Sequence, residues 1–321
     1  MLENNTNNHP AHIGFLLLPN YTMITFTSAV AVLRAANRQG ESEYYKWSAI
    51  TLDGKPVLSS DGLKLEPDGS IDLADDVDIL FVCGGYNVEQ ECDKPLLDAL
   101  RRCANRTPLG AFCTGSYALA AAGLLDDHRC TIHWENEHSL REQFPNVTVL
   151  SKVFVIDGDR LTCAGGISSI DLMLNLVAKA QGKELVQEIT DQFTYERVRT
   201  EDDTQRVPLS YLLGTSQPKL ASSIALMEAN IEEPLGLDEV AEYAGVSRRQ
   251  LERLFHKHLN CAPSRYYMEL RLRRARSLLL QTNMAIIDIA ISCGFSTAPH
   301  FSKCYSENYG HPPRDERKGA P

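Results

Sequence analysis

The sequence predicts an α/β domain with a doubly wound, mostly parallel sheet, followed by an all-α domain with two helix-turn-helix units. Three observations carry this. Apolar strand-like runs alternate with helical segments over the first 180 residues. Beyond an acidic, proline-containing stretch the pattern becomes wholly helical. Two segments of the last hundred residues repeat each other's spacing.

Taken in order, HIGFLLLP is a short apolar run, and AVAVLRAANRQG follows with helical spacing and a terminal glycine. KWSAITL, DILFVCGG, LGAFC and RCTIHW read as further strands. TGSYALAAAGLL, ending near Gly123, and DLMLNLVAKAQG read as helices with glycine stops. VFVIDGDRLTCAGG reads as a hairpin turning at Asp-Gly. Strands alternating with helices bury both faces of the sheet, the flavodoxin-like arrangement. EDDTQRVPLSYLLGTSQPKL has no clear period and reads as a linker; LASSIALMEANI after it is amphipathic. The resulting division is a polar, disordered tail over 1–10, an α/β domain over 11–198, a linker over 199–216 and a helical domain over 217–321.

The 321 residues are 43% hydrophobic and 23% charged, ordinary for a globular chain of two domains. No apolar run approaches the ~20 residues of a membrane span, so no membrane association is expected. MLENNTNNHPAH lacks the apolar core of a signal peptide. The nine cysteines include no C-x-x-C pair, which argues against a disulfide framework or a zinc site. Reduced thiols and a cytoplasmic location are expected. The net charge of −10 argues against nucleic acid, but the charge is uneven: Arg248–Arg276 holds nine basic and two acidic residues.

The repeat gives that basic stretch a context. VAEYAGVSRRQLERLFHKHLNCAP and IAISCGFSTAPHFSKCYSENYGHPP share Ala241/Ala290, Gly245/Gly294 and Ser247/Ser296. After a one-residue insertion Leu251, Arg253, Phe255, Leu259 and Pro263 match Phe301, Lys303, Tyr305, Tyr309 and Pro313. The alanine lets helices approach, the glycine takes a left-handed turn, and the serine is placed to cap the next helix. Ser247 and Gln250 form a capping box. RLRRARSLLL reads as the long helix joining the units; its arginines suit phosphates or plain solvation equally.

On these residues, 217–321 resembles the DNA-binding domain of AraC/XylS-type transcription regulators. The resemblance implies recognition helices one major-groove turn apart on double-stranded promoter DNA. It implies contacts from Ser247, Arg248, Arg249, Glu252 and Arg253 in the first unit. In the second they come from Thr297, Ala298, Pro299, Ser302 and Lys303. Arg249, Glu252 and Arg253 are the best base-edge readers, because Arg suits guanine and Glu the cytosine amine. The second helix is poorer in donors and leans on methyl and phosphate contacts.

The first 195 residues resemble the PfpI-like, class I glutamine amidotransferase-like superfamily, through VCGG, FCTGSYALAAAGLL and TIHW. There GAFCTGSYALA is the elbow that presents a cysteine, Cys113, and Gly84 and Gly85 offer backbone N–H groups. In hydrolytic relatives a histidine follows that cysteine; here it is Thr114. Where relatives place an early glutamate the matching position is Thr25, and no carboxylate lies between Pro19 and Arg34. The nearest remaining histidine is His133. No catalytic residues, metal or cofactor are therefore expected. The same geometry suits a carboxylate ligand at Cys113, Thr114, Gly84 and Gly85. Tyr86 and Trp134 suit an amine, with Glu135 balancing its charge and His133 a further ligand-binding candidate. Core packing for Trp134, a structural role for His133 and an exposed loop position for Tyr86 fit the sequence equally well. CTIHWENEHSLREQFP resembles the subgroup that senses amino acids and betaine-like metabolites.

The expected function is a transcription regulator, an activator by resemblance, that is dimeric and responds to a small-molecule effector. RNA polymerase is a further expected partner, and the nucleoid the expected location of the DNA-bound bacterial protein. Two alternatives stay open: a cysteine-dependent hydrolase or amidotransferase fused to a DNA reader, and an N-terminal domain that only dimerises.

Overall fold

The computed structural model describes residues 9–40, 42–205, 217–282 and 284–316. The chain divides after residue 205 into two compact units. The tail expected over 1–10 falls mostly outside the described residues, as do positions 206–216 of the expected linker.

The first unit is a seven-stranded sheet in the order β10-β11-β7-β6-β1-β2-β5. Its strands are β1 (Ala11–Leu17), β2 (Tyr45–Thr51), β5 (Gly69–Ser70), β6 (Ile79–Cys83), β7 (Leu109–Phe112), β10 (Phe154–Asp157) and β11 (Arg160–Cys163). All pairings are parallel except the β10–β11 hairpin, which turns at Gly158. β6 and β7 are buried at every position, as unbroken apolar runs under two helical layers should be. On one face lie α1 (Met23–Gln39), α6 (Ser168–Gln181) and α7 (Lys183–Phe193), with Phe26, Leu172 and Ile189 in the core. On the other lie α2 (Val88–Glu91), α3 (Lys94–Ala104), α4 (Gly115–Ala121) and α5 (Glu137–Gln143), with Leu96, Leu119 and Leu140 buried. The hairpin β3–β4 (Val57–Leu58, Lys64–Leu65) and the two-residue pair β8–β9 (Arg129–Cys130, Thr148–Val149) stand apart from the sheet.

Two sequence expectations change here. RCTIHW is not a sheet strand: only Arg129 and Cys130 pair, with β9, and Thr131 onward is loop. Thr131 instead donates its backbone N–H to the Thr162 hydroxyl, a side chain standing in for a ladder partner. Residues 199–205, assigned to the linker, are docked on the first unit. Arg199 reaches the buried Asp171, and Val153 N–H donates to Asp203 O at 3.0 Å.

The second unit comprises α8 (Pro218–Ala229), α9 (Leu237–Tyr243), α10 (Arg248–Leu259), α11 (Pro263–Gln281), α12 (Ile286–Ser292), α13 (Ala298–Tyr309) and α14 (Pro313–Glu316). It has two small cores strung on one helix. The first half of α11 gives Tyr267 and Leu270 to a core with Ile224, Val240, Leu251 and Phe255. Its second half gives Leu272, Ala275 and Leu279 to a core with Ile289, Phe301 and Tyr305. Each core is one helix-turn-helix, α9–α10 and α12–α13. Both turns use a left-handed glycine, Gly245 at φ 66° and Gly294 at φ 74°. Ser247 caps α10 and closes a reciprocal box with Gln250. In the second unit the cap is Thr297, whose hydroxyl accepts from His300 N, so the matched Ser296 is not the capping residue. The inserted residue moves the cap on by one.

Candidate functional site

The elbow is set by backbone crowding. β7 ends at Phe112, and Cys113 follows at φ 56°, a left-handed conformation that strains a non-glycine residue by roughly 1–3 kcal/mol. Its surroundings hold it there. Cys113 N–H donates to Cys163 O at 3.0 Å. A Cβ on Gly165 would lie 2.6 Å from Cys113 Cβ. On the other side a Cβ on Gly84 would lie 2.4 Å from Gly115 N, and one on Gly115 would lie 2.1 Å from Val82 O. α4 opens at Gly115. Strand, sharp turn and helix make the shape that presents a nucleophile.

The chemistry around that shape is not that of an activated thiol. Cys113 is 7% exposed, and burial pushes its thiol above the ordinary value, against the hydrogen bonds from Thr22 and the Thr114 backbone. The Thr22 hydroxyl donates to Sγ at 3.7 Å. Thr25, the position expected to replace a carboxylate, points elsewhere: its Oγ1 accepts from Gly166 N at 3.0 Å. Thr22, three residues earlier at the α1 entry, is the side chain that meets the sulfur. Thr114 Oγ1 donates to Gly85 O at 2.7 Å, so the residue in the base position is spent on the backbone.

The glycines serve unequally. Gly84 N–H donates to Phe112 O at 3.2 Å, and Gly84 O accepts from Thr22 N at 3.1 Å. Gly84 is therefore part of the sheet's ladder and offers no donor to a ligand, which corrects its expected role. Gly85 is glycine because a Cβ there would sit 1.8 Å from Asn20 O.

His133, Trp134 and Glu135 follow β8 in a loop. His133 Nδ1 lies 3.7 Å from a Glu135 oxygen, and burial lowers the imidazole's pKa. The thiol of Cys113 is met by the Thr22 hydroxyl and the Thr114 backbone. The Glu135 charge reaches Cys113 and disfavours its thiolate. Trp134 is 44% exposed and Tyr86 is 69% exposed, so Trp134 is not core packing and Tyr86 stands on a surface loop. Thr22, Gly115, Gly165 and Gly166 join the site although sequence reasoning passed over them. The AGG run after β11 was the available signal for two of these.

The second candidate site is the pair of reading helices. On α10 Arg248 is tied to Asp238 at 3.3 Å and to Glu252 at 3.1 Å, whereas Arg249 and Arg253 are exposed. Ser247 and Glu252 are exposed as well, and Leu251 and Phe255 are fully buried beneath them. On α13 Thr297, Pro299 and Lys303 are exposed and Ala298 and Ser302 half-buried. Pro299 sits in the first turn, where its missing N–H breaks no helical bond. The turn before α13 has a built support: Arg271 of α11 donates to Cys293 O at 2.8 Å and Gly294 O at 2.6 Å. Its guanidinium stacks 4.2 Å from the Phe295 ring centre.

Comparison with known proteins follows the same division. Residues 11–179 match the DJ-1/PfpI family, and residues 240–319 match a helix-turn-helix domain. The HTH-type transcriptional regulator GbdR of Pseudomonas aeruginosa is 52% identical over 98% of this chain and 86% of its own length. The HTH-type transcriptional regulator CdhR of the same species is 41% identical over 96% of this chain and 91% of its own. Among solved structures, an AraC family transcriptional regulator from Pseudomonas putida is 34% identical. It covers 57% of this chain and all of its own, with a TM-score of 0.51. The DJ-1/PfpI family also includes enzymes, but GbdR and CdhR, which span nearly this whole chain, are transcription regulators. Both halves agree, and the chain belongs to the DNA-binding transcription regulators of AraC type that carry an N-terminal DJ-1/PfpI domain.

Proposed function

We propose that the first unit is a sensor for a small metabolite carrying a carboxylate and an amine, an amino acid or a betaine-like compound, held beside the elbow. Ligand occupancy then governs how a homodimer engages promoter DNA through Arg249, Glu252 and Arg253, with RNA polymerase the partner at an activated promoter. Cytoplasmic location accords with this; among the described residues no helix is long and apolar enough to cross a membrane.

One observation carries the sensor reading. The elbow keeps its strained, tightly packed backbone while its thiol is buried and its neighbours are threonines rather than a base and a carboxylate. Two exposed rings, Tyr86 and Trp134, together with Glu135, suit a cationic group. Thermal-shift measurements with a panel of amino acids and betaines test it. A ligand at 100 times its dissociation constant should stabilise by about 2.7 kcal/mol, and no shift across the panel overturns the reading.

A second reading, cysteine-dependent hydrolysis, keeps the elbow's geometry in its favour. It requires turnover that Cys113→Ala abolishes. The sensor reading requires that this variant keep its DNA affinity and change only the ligand response.

A further inference from the structure

The chain leaves the first unit by a built route. Asp171, fully buried in α6, accepts from Arg199 N at 2.8 Å, Arg199 Nε at 2.8 Å and the Tyr195 hydroxyl at 3.0 Å. Asp203 accepts from Thr200 N at 2.8 Å and from the Arg197 guanidinium, folding the exit segment on itself. Its carbonyl pairs with Val153 N–H, and Lys152 bridges Thr204. Gln205 is docked by its side chain. Its amide Nε2 lies 2.9 Å from Thr131 Oγ1, 2.7 Å from Ile132 O and 3.0 Å from Glu137 Oε1.

Those three acceptors bracket the loop that carries His133, Trp134 and Glu135. They are rigid on their far sides. Thr131 is fully buried and bonded at every polar atom: its hydroxyl donates to Lys152 O at 2.7 Å, its N–H to Thr162, and its carbonyl accepts from Ser116 Oγ at 2.7 Å. Ser116 stands in α4, the elbow helix, three residues beyond Cys113. Glu137 is buried and also holds Ser151 and Arg141. A continuous set of hydrogen bonds therefore runs from the elbow helix through Thr131 to Gln205, the last described residue before the segment that leads to the DNA reader. Side-chain networks of this kind couple their members in the low-dielectric interior, and here the buried Gln205 amide oxygen alone is left without a partner among the network's members.

We propose that Gln205 is the coupling residue of the sensor. It fastens the exit segment 199–205 to the loop 131–137, so that occupancy beside the elbow and tightening of the exit segment are one equilibrium. This rests on the sensor reading for the ligand's place, but not for the clamp itself. An occupant that orders the loop strengthens all three Gln205 contacts, and by reciprocity a tightened exit segment raises the occupant's affinity. A shared two-state element, rather than mere proximity, is the physical requirement for such coupling.

Hydrogen–deuterium exchange on the full chain tests it, with Gln205→Ala and with glycine betaine as probe. The variant should speed exchange in 131–137 and 199–205 together, by about fivefold or more, leaving β6 and β7 unchanged. The probe should slow both segments in the wild type but only 131–137 in the variant. If 199–205 alone loosens and the loop keeps its protection, the clamp is overturned whatever the probe does. If the variant loosens both segments while neither the probe nor the rest of the panel affects the wild type, the clamp stands and the sensor reading fails. Should alanine loosen β6 and β7 as well, Gln205→Glu replaces it in the same comparison. That variant keeps the side chain's length and sets a carboxylate against Glu137.

Discussion

The two helix-turn-helix units are the same scaffold used in two ways. Their inward faces correspond position by position: Leu251 and Phe255 in α10, Phe301 and Tyr305 in α13, all fully buried. Their outward faces do not correspond. α10 presents Arg249, Glu252 and Arg253, all exposed and able to hydrogen-bond, while α13 presents Pro299, Lys303 and two small residues. Support runs the opposite way. Gly245, before α10, would bring an added Cβ only against the flexible tip of Lys219. Gly294, before α13, is hemmed by Ile231 O at 2.5 Å and the Pro234 ring at 2.5 Å, and Arg271 holds its carbonyl. A helix rich in donors can adjust its side chains to the bases. One that is poor in them depends on where its backbone is held, and the structure spends its rigidity there.

Three experiments bear on that contrast. The largest effect is expected at the turns. Gly294→Ala meets both a left-handed backbone and a fixed carbonyl, and should destabilise the second unit by about 3 kcal/mol; Gly245→Ala should cost about 1 kcal/mol. Hydrogen exchange of α12 and α13 against α9 and α10 measures both, and equal losses would remove the asymmetry. Next come the readers. Arg253→Ala should weaken operator binding by about 1–3 kcal/mol and relax preference at one base, whereas Lys303→Ala should weaken all sequences alike and lower the salt slope by about 1. Titrations on matched and mismatched operators at several salt concentrations separate the two. The smallest effect is at the caps. Thr297→Ala should cost about 1 kcal/mol, and Ser247→Ala less, because Gln250 still accepts from Ser247 N–H at 2.9 Å. Chemical denaturation followed by circular dichroism resolves the difference.

The duplicated units were legible because their signals are local: a glycine, a cap and an apolar period lie within a dozen residues. One inserted residue was enough to misplace the second cap, since Ser296 and Thr297 differ only in register. The sheet was legible as unbroken apolar runs, and RCTIHW misled because Thr131 and Ile132 are buried without being strand. The elbow's outline could be read from CTG and VCGG. Its partners could not, because which threonine of LPNYTMIT meets Cys113 depends on where α1 starts, a matter of one helical turn. Gly84 looked like a donor because sequence shows that an N–H exists but not that Phe112 has already taken it. Residues 199–205 resembled a linker in composition, and only long-range partners, Asp171, Val153 and Thr131, show that they are not.

The hydroxyl of Thr114 closes the corner of the elbow. It is buried and bonded to Gly85, and a Cβ on Gly84 would lie 2.5 Å from it. An imidazole at this position would give up that hydrogen bond, leaving the Gly85 carbonyl without its hydroxyl donor. The elbow's backbone and the residue after its cysteine are thus fixed by one hydrogen bond.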